Sequence, residues 1–437
     1  MAGINLLHYV QNDFKITLIE KREYFEWIWM LPKSILDSGS FFEDEATADL
    51  RECIEDKKVF GDNVNYIQAI MTQVVDQSTL KIKRTGGLQN KDTLEKNALD
   101  LSNIEEEEIK FDYLVLWTGS NYIANEQNVT DVAHIFTREQ RKAYLNKYKK
   151  DMEEANSILV VGGGPTGCET VAELLIQHGN KKKIGLLHGT DKLLPGFPDA
   201  ARDHAKTSFE RSGVEVILNT RYNPEMKKTM GYDFTLICIG TKFYTPYFDN
   251  DKFSDWKDAR GRIFVNDHLQ VTNLNPLVKP DPQINKKVYK NIFCHGDACV
   301  TKMNEAKNVP ALMYTAEILA YNLKQTYKAM PRFKSVDVMC DNASSVYLSG
   351  NDGVLVLNGF TKIDQNILNM KKQVQEAFVK YIKDERNGRK GFIDYIKQKN
   401  CMFCCFNNCC CCCPCSSKKA KSKRRAELRA ILNGETA

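Results

Sequence analysis

The chain has 437 residues, which is too long for one hydrophobic core, so two or three domains are expected. Hydrophobic residues make up 43% and charged residues 27% of the sequence, as in ordinary globular proteins. The net charge of +5 is small for this length and is partly concentrated at the C-terminus, which argues against a nucleic-acid-binding protein. No apolar run reaches the roughly 18 residues of a membrane-spanning helix, and none is predicted.

Residues 1–20 have the pattern of the second half of a nucleotide-binding βαβ unit. A helical segment begins near Gly3, and the strand that follows, KITLIE, ends in Glu20, where a carboxylate would bind a ribose hydroxyl. The first strand and first two glycines of such a unit do not precede it. We favour a chain that continues upstream of Met1 over one that has lost the centre of this site, because Gly3 and Glu20 lie where a complete motif needs them. An ordinary helix–strand pair with a solvated Glu20 is the third interpretation.

The next two informative segments are aromatic-rich and strand-like. Residues 24–30 (YFEWIWM) are typical of core packing more than of a cofactor platform. Residues 111–120 (FDYLVLWTGS) predict a buried strand that ends at Thr118 and Gly119, and a glycine there lets the backbone approach a ligand. Taken alone, the second segment is equally compatible with any strand-to-loop junction. A charged helix is predicted over residues 137–154.

The strongest motif lies at residues 158–173, ILVVGGGPTGCETVAE. An apolar strand leads into Gly162, Gly164 and Gly167 in G-x-G-x-x-G spacing, and a helix follows at once. The first glycine permits the tight turn, the second lets a pyrophosphate approach the backbone, and the third lets the helix pack on the strand. The start of the helix also offers unpaired N–H groups to phosphates. Because the preceding strand and the following helix both fit the motif, we interpret this segment as a dinucleotide site.

The following strands complete this second unit. Residues 183–188 (KIGLLH) predict a strand that ends in His188, where NAD-specific sites usually have an aspartate or a glutamate. The histidine leaves NADH and NADPH both open, and a surface histidine at a strand end is the alternative. Residues 232–240 (YDFTLICIG) predict a strand that ends in Gly240 and parallels residues 111–119 in form. Two βαβ-type units are therefore expected in tandem.

A last pair of signals follows the second unit. In residues 294–298 (CHGDA), Asp297 comes just after a strand and a glycine, where it can accept a hydrogen bond from a ribityl hydroxyl; the same dipeptide is common in turns. Asn308 and Pro310 then predict the start of a helix over residues 311–323. The positive end of such a helix would stabilise the negative charge of a reduced flavin.

The order of these motifs resembles that of the two-dinucleotide flavoprotein oxidoreductases of the pyridine nucleotide–disulfide reductase type, from Gly3 to about Phe360. The most specific segments are GGGPTGCE, the strand ending at His188, CHGDAC, Lys307 ahead of the proline-initiated helix, and NDGVLVLNGF. The resemblance implies an α/β fold with tandem Rossmann-like FAD and NAD(P)H domains and a smaller C-terminal α/β region, here with the first strand of the FAD domain missing. It implies FAD-binding parts at residues 1–125 and 245–325, an inserted NAD(P)H domain at 126–244, a C-terminal region at 326–399 and a tail at 400–437.

The resemblance also implies the chemistry and the site. Hydride would pass from NAD(P)H to the flavin, and electrons would pass on to a quinone-type or other small-molecule acceptor. The chemistry would depend on the flavin, so no catalytic side chain and no metal are assigned. Trp117 stands where the family usually has a small residue. The residues on FAD positions are Gly3, Glu20, Thr118, Gly119 and Asp297, with Lys307; those on NAD(P)H positions are Gly162, Gly164, Gly167, Glu169 and Gly240, with His188.

Two alternative functions remain open from the sequence. A flavin-free NAD(P)H-binding interaction protein is compatible with the absence of the first strand and its glycines from residues 1–20. A disulfide reductase would need a redox cysteine pair, and Cys294 and Cys299 have C-x₄-C spacing. They bracket the Gly-Asp turn, however, at a position that matches the pyrophosphate end of FAD, and we predict that they are structural.

The C-terminal tail predicts a lipid anchor. Nine cysteines lie between residues 401 and 415, and a basic run follows at 418–425. Adjacent cysteines do not fit one tetrahedral metal site, and a disulfide cluster would contradict the scattered, reduced cysteines of the rest of the chain. Multiple S-acylation beside a basic patch fits better and predicts a cytoplasmic protein attached peripherally to a membrane surface. The acylated residues would be Cys404, Cys405, Cys409, Cys410, Cys411, Cys412 and Cys413.

Overall fold

The second nucleotide-binding unit is a four-stranded parallel sheet. It contains, in spatial order, the strands Glu215–Ile217, Lys183–Leu187, Ser157–Val161 and Phe234–Ile237. The helices Pro165–His178 and Asp199–Arg211 connect the first three strands, and Ser157–Val161 is buried along its whole length because other elements cover both of its faces. This third-second-first-fourth order is that of a Rossmann half, which confirms the predicted fold of this unit.

This architecture comes from a computed structural model of the chain. The structure describes residues 2–55, 60–86, 101–122, 135–239, 241–243, 245–249, 252–279, 281, 283–302, 309–330, 332–335, 344–357, 360–373 and 376. Within these ranges, none of the helices combines the length and the hydrophobicity needed to cross a lipid bilayer.

The strands of the first unit are divided between two sheets. One sheet runs Ile16–Glu20, Val64–Val74, Thr79–Arg84 and Glu107–Lys110, and only its first pair is parallel. The other runs Gln270–Thr272, Val288–Cys294 and Leu114–Leu116, and its second pair is parallel. Ile19 and Leu114, at the two outer strands, pack against the same buried group of Ala69, Leu80 and Ile82. The two sheets therefore share a core. The absence of the first strand of this unit, expected from the sequence, stays a prediction.

The helix that precedes the second unit starts at a well-formed cap. Thr137 accepts a hydrogen bond from the backbone N–H of Gln140 (3.1 Å), and the Gln140 side chain accepts one from the backbone N–H of Thr137 (3.1 Å). The helix then runs over Arg138–Glu154, as the charged pattern predicts. Its Arg141 is fully buried and paired with Glu26 (2.9 Å), which ties the aromatic segment to the nucleotide-binding unit. Tyr24, Trp27 and Met30 are buried, so these residues of the segment lie in the core, as predicted, whereas Ile28 is exposed.

The C-terminal region is an antiparallel meander packed on the second unit. Its strands are Ser344–Ser349, Asp352–Leu357 and Phe360–Ile363. It lies against the helices Pro165–His178 and Asp199–Arg211. Asp352 binds His204 Nε2 (2.8 Å) and Ser208 of the second helix, so polar contacts hold the two parts together.

The remaining elements are short or connect these sheets. The helix Ala2–Val10 packs against the long helix Val309–Tyr327, and residues 367–373 are helical. The small two-stranded sheets pair Tyr24–Glu26 with Thr47–Asp49, Ser120–Tyr122 with Thr241–Phe243, and Ile263–Phe264 with Cys299–Val300. Short helices are Leu31–Leu36, Leu50–Glu55 and Met226–Thr229; single turns are Ile28–Met30, Phe41–Ala46, Leu101–Asn103, Gly179–Lys181, Pro246–Phe248, Ser254–Trp256 and Gly296–Ala298.

Candidate functional site

The three glycines of the second unit have three different surroundings. Gly162 has a φ of +114°, and a Cβ atom there would lie 2.6 Å from the carbonyl oxygen of Cys238. A Cβ atom on Gly167 would lie 1.7 Å from the carbonyl oxygen of Gly162, so the helix can approach the strand only with glycine at this position. A Cβ atom on Gly164 would meet nothing within 4 Å. The backbone at Gly164 is therefore open to a ligand, as a pyrophosphate site requires.

The helix Pro165–His178 begins at this open backbone. Pro165 occupies its first turn, and Gly164 caps it without a side-chain hydrogen bond. The first N–H groups of a helix lack partners inside the helix and carry a partial positive charge. The described residues of the loop therefore fit the pyrophosphate of NAD(P)H.

His188 supports the glycine-rich loop from the neighbouring strand. The backbone N–H of Gly163 donates to His188 Nδ1 (3.1 Å), and His188 Nε2 lies 2.9 Å from Thr190 Oγ1. Burial, with Arg202 nearby, lowers the pKa of His188. The ring is therefore neutral near pH 7, with the proton on Nε2 directed at Thr190. A contact between His188 and the ribose stays a prediction.

Gly163 is a site residue that sequence reasoning missed. A Cβ atom there would lie 2.5 Å from Leu193 Cδ2 and 2.8 Å from His188 Cγ, so only glycine fits between the loop and the next strand. The sequence signal that could have identified Gly163 is the run of three glycines, 162–164. Gly163 falls on the x between the first two glycines of the G-x-G-x-x-G motif. The loop thus needs four small residues and not three.

The surface beyond His188 carries both signs of charge. Arg202 pairs with Asp199 (3.3 Å), and Lys192 pairs with Asp199 and Asp203 (3.0 Å each). Arg221 is exposed beside Gly189, whose added Cβ would lie 3.4 Å from Arg221 Cγ, and it has no ion pair with another described residue. Arg221 is therefore a cation near the strand end that is available to a phosphate.

Glu169, in the second turn of the same helix, is buried and paired with a distant lysine. Lys371 Nζ, from the helical residues 367–373, donates to Glu169 Oε1. Burial raises the pKa of Glu169, and the ammonium group of Lys371 opposes that rise. One turn further on, the phenol of Tyr347 donates to Glu173 (2.9 Å). Sequence reasoning missed Lys371, although a buried carboxylate needs a counter-charge and the C-terminal segment is rich in lysine.

On the predicted FAD side, two parallel strand ends meet. Gly119 has a φ of +68°, and nothing lies within 4 Å of the position of an added Cβ atom. The hydroxyl groups of Thr118 and Tyr247 are 2.6 Å apart, and Ser120 donates to Asp297 Oδ2 (2.8 Å). The structure therefore brings Thr118, Gly119 and Asp297 together, and it adds Ser120 and Tyr247 as supporting residues.

Trp117 closes one side of this region. Gly296 has a φ of +74°, and a Cβ atom there would lie 2.8 Å from the indole nitrogen of Trp117. The indole also contacts the ring of His295, with 4.2 Å between centroids, and His295 Nε2 bonds Thr315 Oγ1. The space beside Gly296 is thus filled by a side chain of this chain, where the family usually has a small residue.

Glu20 and Gly3 are placed as a strand end and a helix start. Glu20 ends the strand Ile16–Glu20 and accepts hydrogen bonds from the backbone N–H and the Nε of Arg22 (3.2 and 3.4 Å). Its carboxylate stays partly exposed, so a ribose hydroxyl could reach it. Gly3 lies in the first turn of the helix Ala2–Val10. Together with Gly119 and Asp297, these positions are compatible with FAD.

The cysteines around the Gly-Asp turn are buried. Cys294 ends a strand, and Cys299 Sγ lies 3.4 Å from the carbonyl oxygen of Gly296. Near the glycine-rich loop, burial raises the pKa of Cys238 to about 11 and that of Cys168 further, so neither of these two thiols is activated. The buried positions of Cys294 and Cys299 agree with structural roles.

Three groups of predicted site residues are not covered by the described ranges. They are Lys307, Gly240 and the seven predicted acylation sites.

The chain belongs to the pyridine nucleotide-disulphide oxidoreductase family, whose model matches residues 1–317. This assignment supports FAD and NAD(P)H as the cofactors expected from the sequence.

Among curated proteins, the chain is similar to members with apoptosis-inducing-factor and ferroptosis-suppressor names. It is 25% identical over 283 residues to apoptosis-inducing factor homolog B of Dictyostelium discoideum, covering 56% of this chain and 65% of that protein. It is 25% identical over 276 residues to ferroptosis suppressor protein 1 of Xenopus laevis, covering 58% and 66%. Within its family the chain therefore resembles the ferroptosis suppressor and apoptosis-inducing-factor-like group.

Solved structures share the fold at low sequence identity. NDH2 from Plasmodium falciparum, solved in complex with NADH, has a TM-score of 0.61 and 17% identity, and the similarity covers 91% of this chain and 96% of that one. The water-forming NADH oxidase from Lactobacillus brevis, bound to NADH, has a TM-score of 0.53 and 15% identity, with 81% and 72% covered.

Proposed function

We propose that this chain is a FAD-dependent oxidoreductase that takes hydride from NAD(P)H and passes electrons to a quinone-type or other small-molecule acceptor at a membrane surface. The observation that carries the proposal is the glycine-rich loop, whose backbone is open at Gly164 and closed by packing at Gly162 and Gly167. Gly119 and Asp297, which follow two neighbouring strands of the first unit, support the binding of a flavin. Family membership and the NADH-related names among the similar proteins agree with this function.

The residues of this chain would bind, orient and balance charge. Bound FAD would supply the redox chemistry by accepting hydride from the nicotinamide and passing electrons on. Gly164 and the helix N-terminus would hold the NAD(P)H pyrophosphate, and His188 fixes the loop through Gly163. Lys371 neutralises Glu169, so the start of the helix keeps its attraction for phosphate. Asp297 would accept from a ribityl hydroxyl, and Glu20 from a ribose hydroxyl.

The first experiment is the visible spectrum and the quinone-dependent NADH and NADPH oxidation of the purified full chain. Flavin absorption bands and acceptor-dependent turnover are expected. Gly164→Ala keeps an ordinary backbone conformation with free space around it, so it should fold normally and raise the KM for NAD(P)H about tenfold by blocking the pyrophosphate. Gly39→Ala, at another uncrowded glycine, is the matched control. A full chain without flavin and without turnover would contradict the proposal.

One observation favours the flavin-free alternative, an NAD(P)H-binding interaction protein. Trp117 fills the space beside Gly296, next to Asp297. If that function is the correct one, titration of the purified chain with NADPH should show binding while titration with FAD shows none. Trp117→Ala would then be expected to gain FAD binding. Under the leading proposal, the unsubstituted chain binds both nucleotides.

The membrane location depends on the tail. Residues 401–425 combine cysteines with a basic run, and several acyl chains beside a basic patch give stable anchoring. Hydroxylamine cleaves thioesters and should release the protein from cell membranes if acylation holds it there. The serine variant of all seven predicted cysteines should show a lower membrane-bound fraction than the unsubstituted chain in the same assay. A membrane-bound fraction that neither treatment lowers would count against acylation.

A further inference from the structure

The loop between the strands Gln270–Thr272 and Val288–Cys294 exposes large apolar side chains. Leu277 is 45%, Val278 59% and Ile284 48% exposed. Single exposed apolar residues are common on protein surfaces, but here three lie within one short loop. Nothing in the described core accounts for them, because none of the three packs into a buried cluster.

The loop is fixed by its own hydrogen bonds. At its base, Thr272 Oγ1 donates to the carbonyl of Lys287 (2.8 Å), and the backbone N–H of Lys287 donates to Asn273 Oδ1 (2.8 Å). Near the tip, the N–H of Leu277 donates to Asn275 Oδ1 (2.9 Å), and the N–H of Ile284 donates to the carbonyl of Asp281 (3.1 Å). The described residues of the loop are therefore held in place before any contact, which lowers the entropy lost on docking.

The charged residues in and beside this loop are mostly positive. Residues 273–290 contain one acidic residue, Asp281, and four lysines that are all exposed. None of the lysines forms an ion pair with another residue of the described ranges. Asp281 Oδ1 accepts from the backbone of Gln283 (2.9 Å), so its charge belongs to the turn. The lysines are Lys279, Lys286, Lys287 and Lys290.

This combination fits an anionic lipid surface better than a protein surface. Apolar side chains enter the boundary between headgroups and acyl chains, and lysines contact lipid phosphates around them. A specific protein interface needs roughly 1,000 Å² or more of buried surface, and three side chains on one loop offer a much smaller contact. A lipid surface needs no such complementary shape.

We propose that the described residues 273–279, 281 and 283–287 form a membrane-docking loop, in which Leu277, Val278 and Ile284 enter the interface of an anionic bilayer and the flanking lysines contact lipid phosphates. The loop binds in addition to the tail and does not depend on which electron acceptor the protein uses. The strand Val288–Cys294 separates it from the Gly296–Asp297 turn by up to about 23 Å, at roughly 3.3 Å per residue. We propose that the loop acts as an orienting contact of the protein on the bilayer.

The test uses the full chain produced without S-acylation and vesicles of phosphatidylcholine with or without phosphatidylserine. Leu277→Ser combined with Val278→Ser should lower the partition onto phosphatidylserine vesicles about fivefold. Ile176→Ser removes an equally exposed apolar side chain (45%) from the helix Pro165–His178 and should leave the partition unchanged. Lys286→Gln combined with Lys287→Gln should weaken binding about tenfold, and only when phosphatidylserine is present.

A second measurement locates the loop directly. Val278→Trp adds a fifth tryptophan to the chain, and lipids brominated on the acyl chains should quench the emission it adds to that of the unsubstituted chain when the protein is bound. Unchanged partition of the double serine variant, or an unquenched Trp at position 278 in vesicle-bound protein, would overturn the proposal. A change in oligomeric state on size exclusion, without a change in partition, would assign the patch to contacts between copies and would overturn it as well. Flavin content and NAD(P)H oxidation should be unaffected, so failure here leaves the oxidoreductase proposal intact.

Discussion

The second nucleotide-binding unit builds its site from one continuous segment, whereas the first assembles its site from distant segments. In the second unit, the strand Ser157–Val161, the glycine turn and the helix Pro165–His178 supply the whole phosphate-binding loop. In the first unit, Thr118 and Gly119 meet Asp297, and Tyr247 and Trp117 complete the surroundings. A local site depends on backbone geometry, and an assembled site depends on side chains that hold separate strands in register. The two kinds of site should therefore fail in different ways.

The largest effect is expected where the local site is most crowded. Gly167→Ala places a Cβ atom on the carbonyl of Gly162, and the helix cannot retreat without disturbing the sheet. We expect a loss of about 4 kcal/mol in the free energy of unfolding, measured with urea. Gly119→Ala is the counterpart in the first unit, where φ is positive but space is open, and should cost about 1 kcal/mol. Equal losses would show that crowding does not distinguish the two units.

The next effect concerns a long-range contact of the second unit, the pair of Lys371 with Glu169. Lys371→Met leaves Glu169 buried without its counter-charge, and we expect a loss of about 3 kcal/mol at pH 7 in urea unfolding. Lys362→Met removes an exposed lysine paired with Asp364 and should change stability by less than about 0.5 kcal/mol. Glu169→Gln combined with Lys371→Met should recover most of the loss.

The pH dependence of Lys371→Met supplies a check on the cause. Burial already raises the pKa of Glu169 above its ordinary value of 4.5, and removal of Lys371 raises it further. A carboxyl group with a raised folded-state pKa takes up a proton more readily in the folded protein, so it stabilises the fold at low pH and loses that contribution as the pH rises through the folded value. The stability that Lys371→Met loses relative to the unsubstituted chain should therefore become smaller as the pH falls from 8 to 5. A deficit that is constant over this interval would point to lost packing instead of charge.

A smaller effect is expected from the contact that holds the assembled site. Thr118→Val keeps the shape of the side chain but leaves the buried phenol of Tyr247 without the hydroxyl 2.6 Å away. We expect a loss of about 1.5 kcal/mol in stability together with weaker FAD retention on gel filtration. Thr207→Val, at an exposed helix position, is the matched control and should retain both properties. Lost stability with full FAD retention would separate Thr118 from the flavin site.

The difference between the units also explains what the sequence could predict. The parallel sheet and glycine loop of residues 157–237 follow from local pattern, because strand, turn and helix are contiguous and because Gly162 and Gly167 each have a steric reason to be glycine. Gly119 and Asp297 were both expected at FAD positions only because of the family resemblance; residue spacing alone does not predict that they meet. Lys371 was not predicted, because its partner Glu169 is 202 residues away and only burial makes the pairing necessary. Trp117 was noticed as a departure, but its place against Gly296 needed the fold.

The smallest expected effect tests whether the second unit selects its nucleotide at the strand end. His188→Glu introduces a carboxylate that accepts from the ribose diol and repels a 2′-phosphate, so the ratio of kcat/KM for NADH over NADPH should rise about tenfold. Arg221→Gln removes the exposed cation beside Gly189 and should lower kcat/KM for NADPH while leaving NADH unchanged. His188→Gln is the control, since it keeps an acceptor for the Gly163 N–H without adding charge. If His188→Glu and His188→Gln shift this ratio equally, the added charge has no effect of its own. Residue 188 would then act only through its contact with the Gly163 N–H, and the preference between NADH and NADPH would be set elsewhere in the unit.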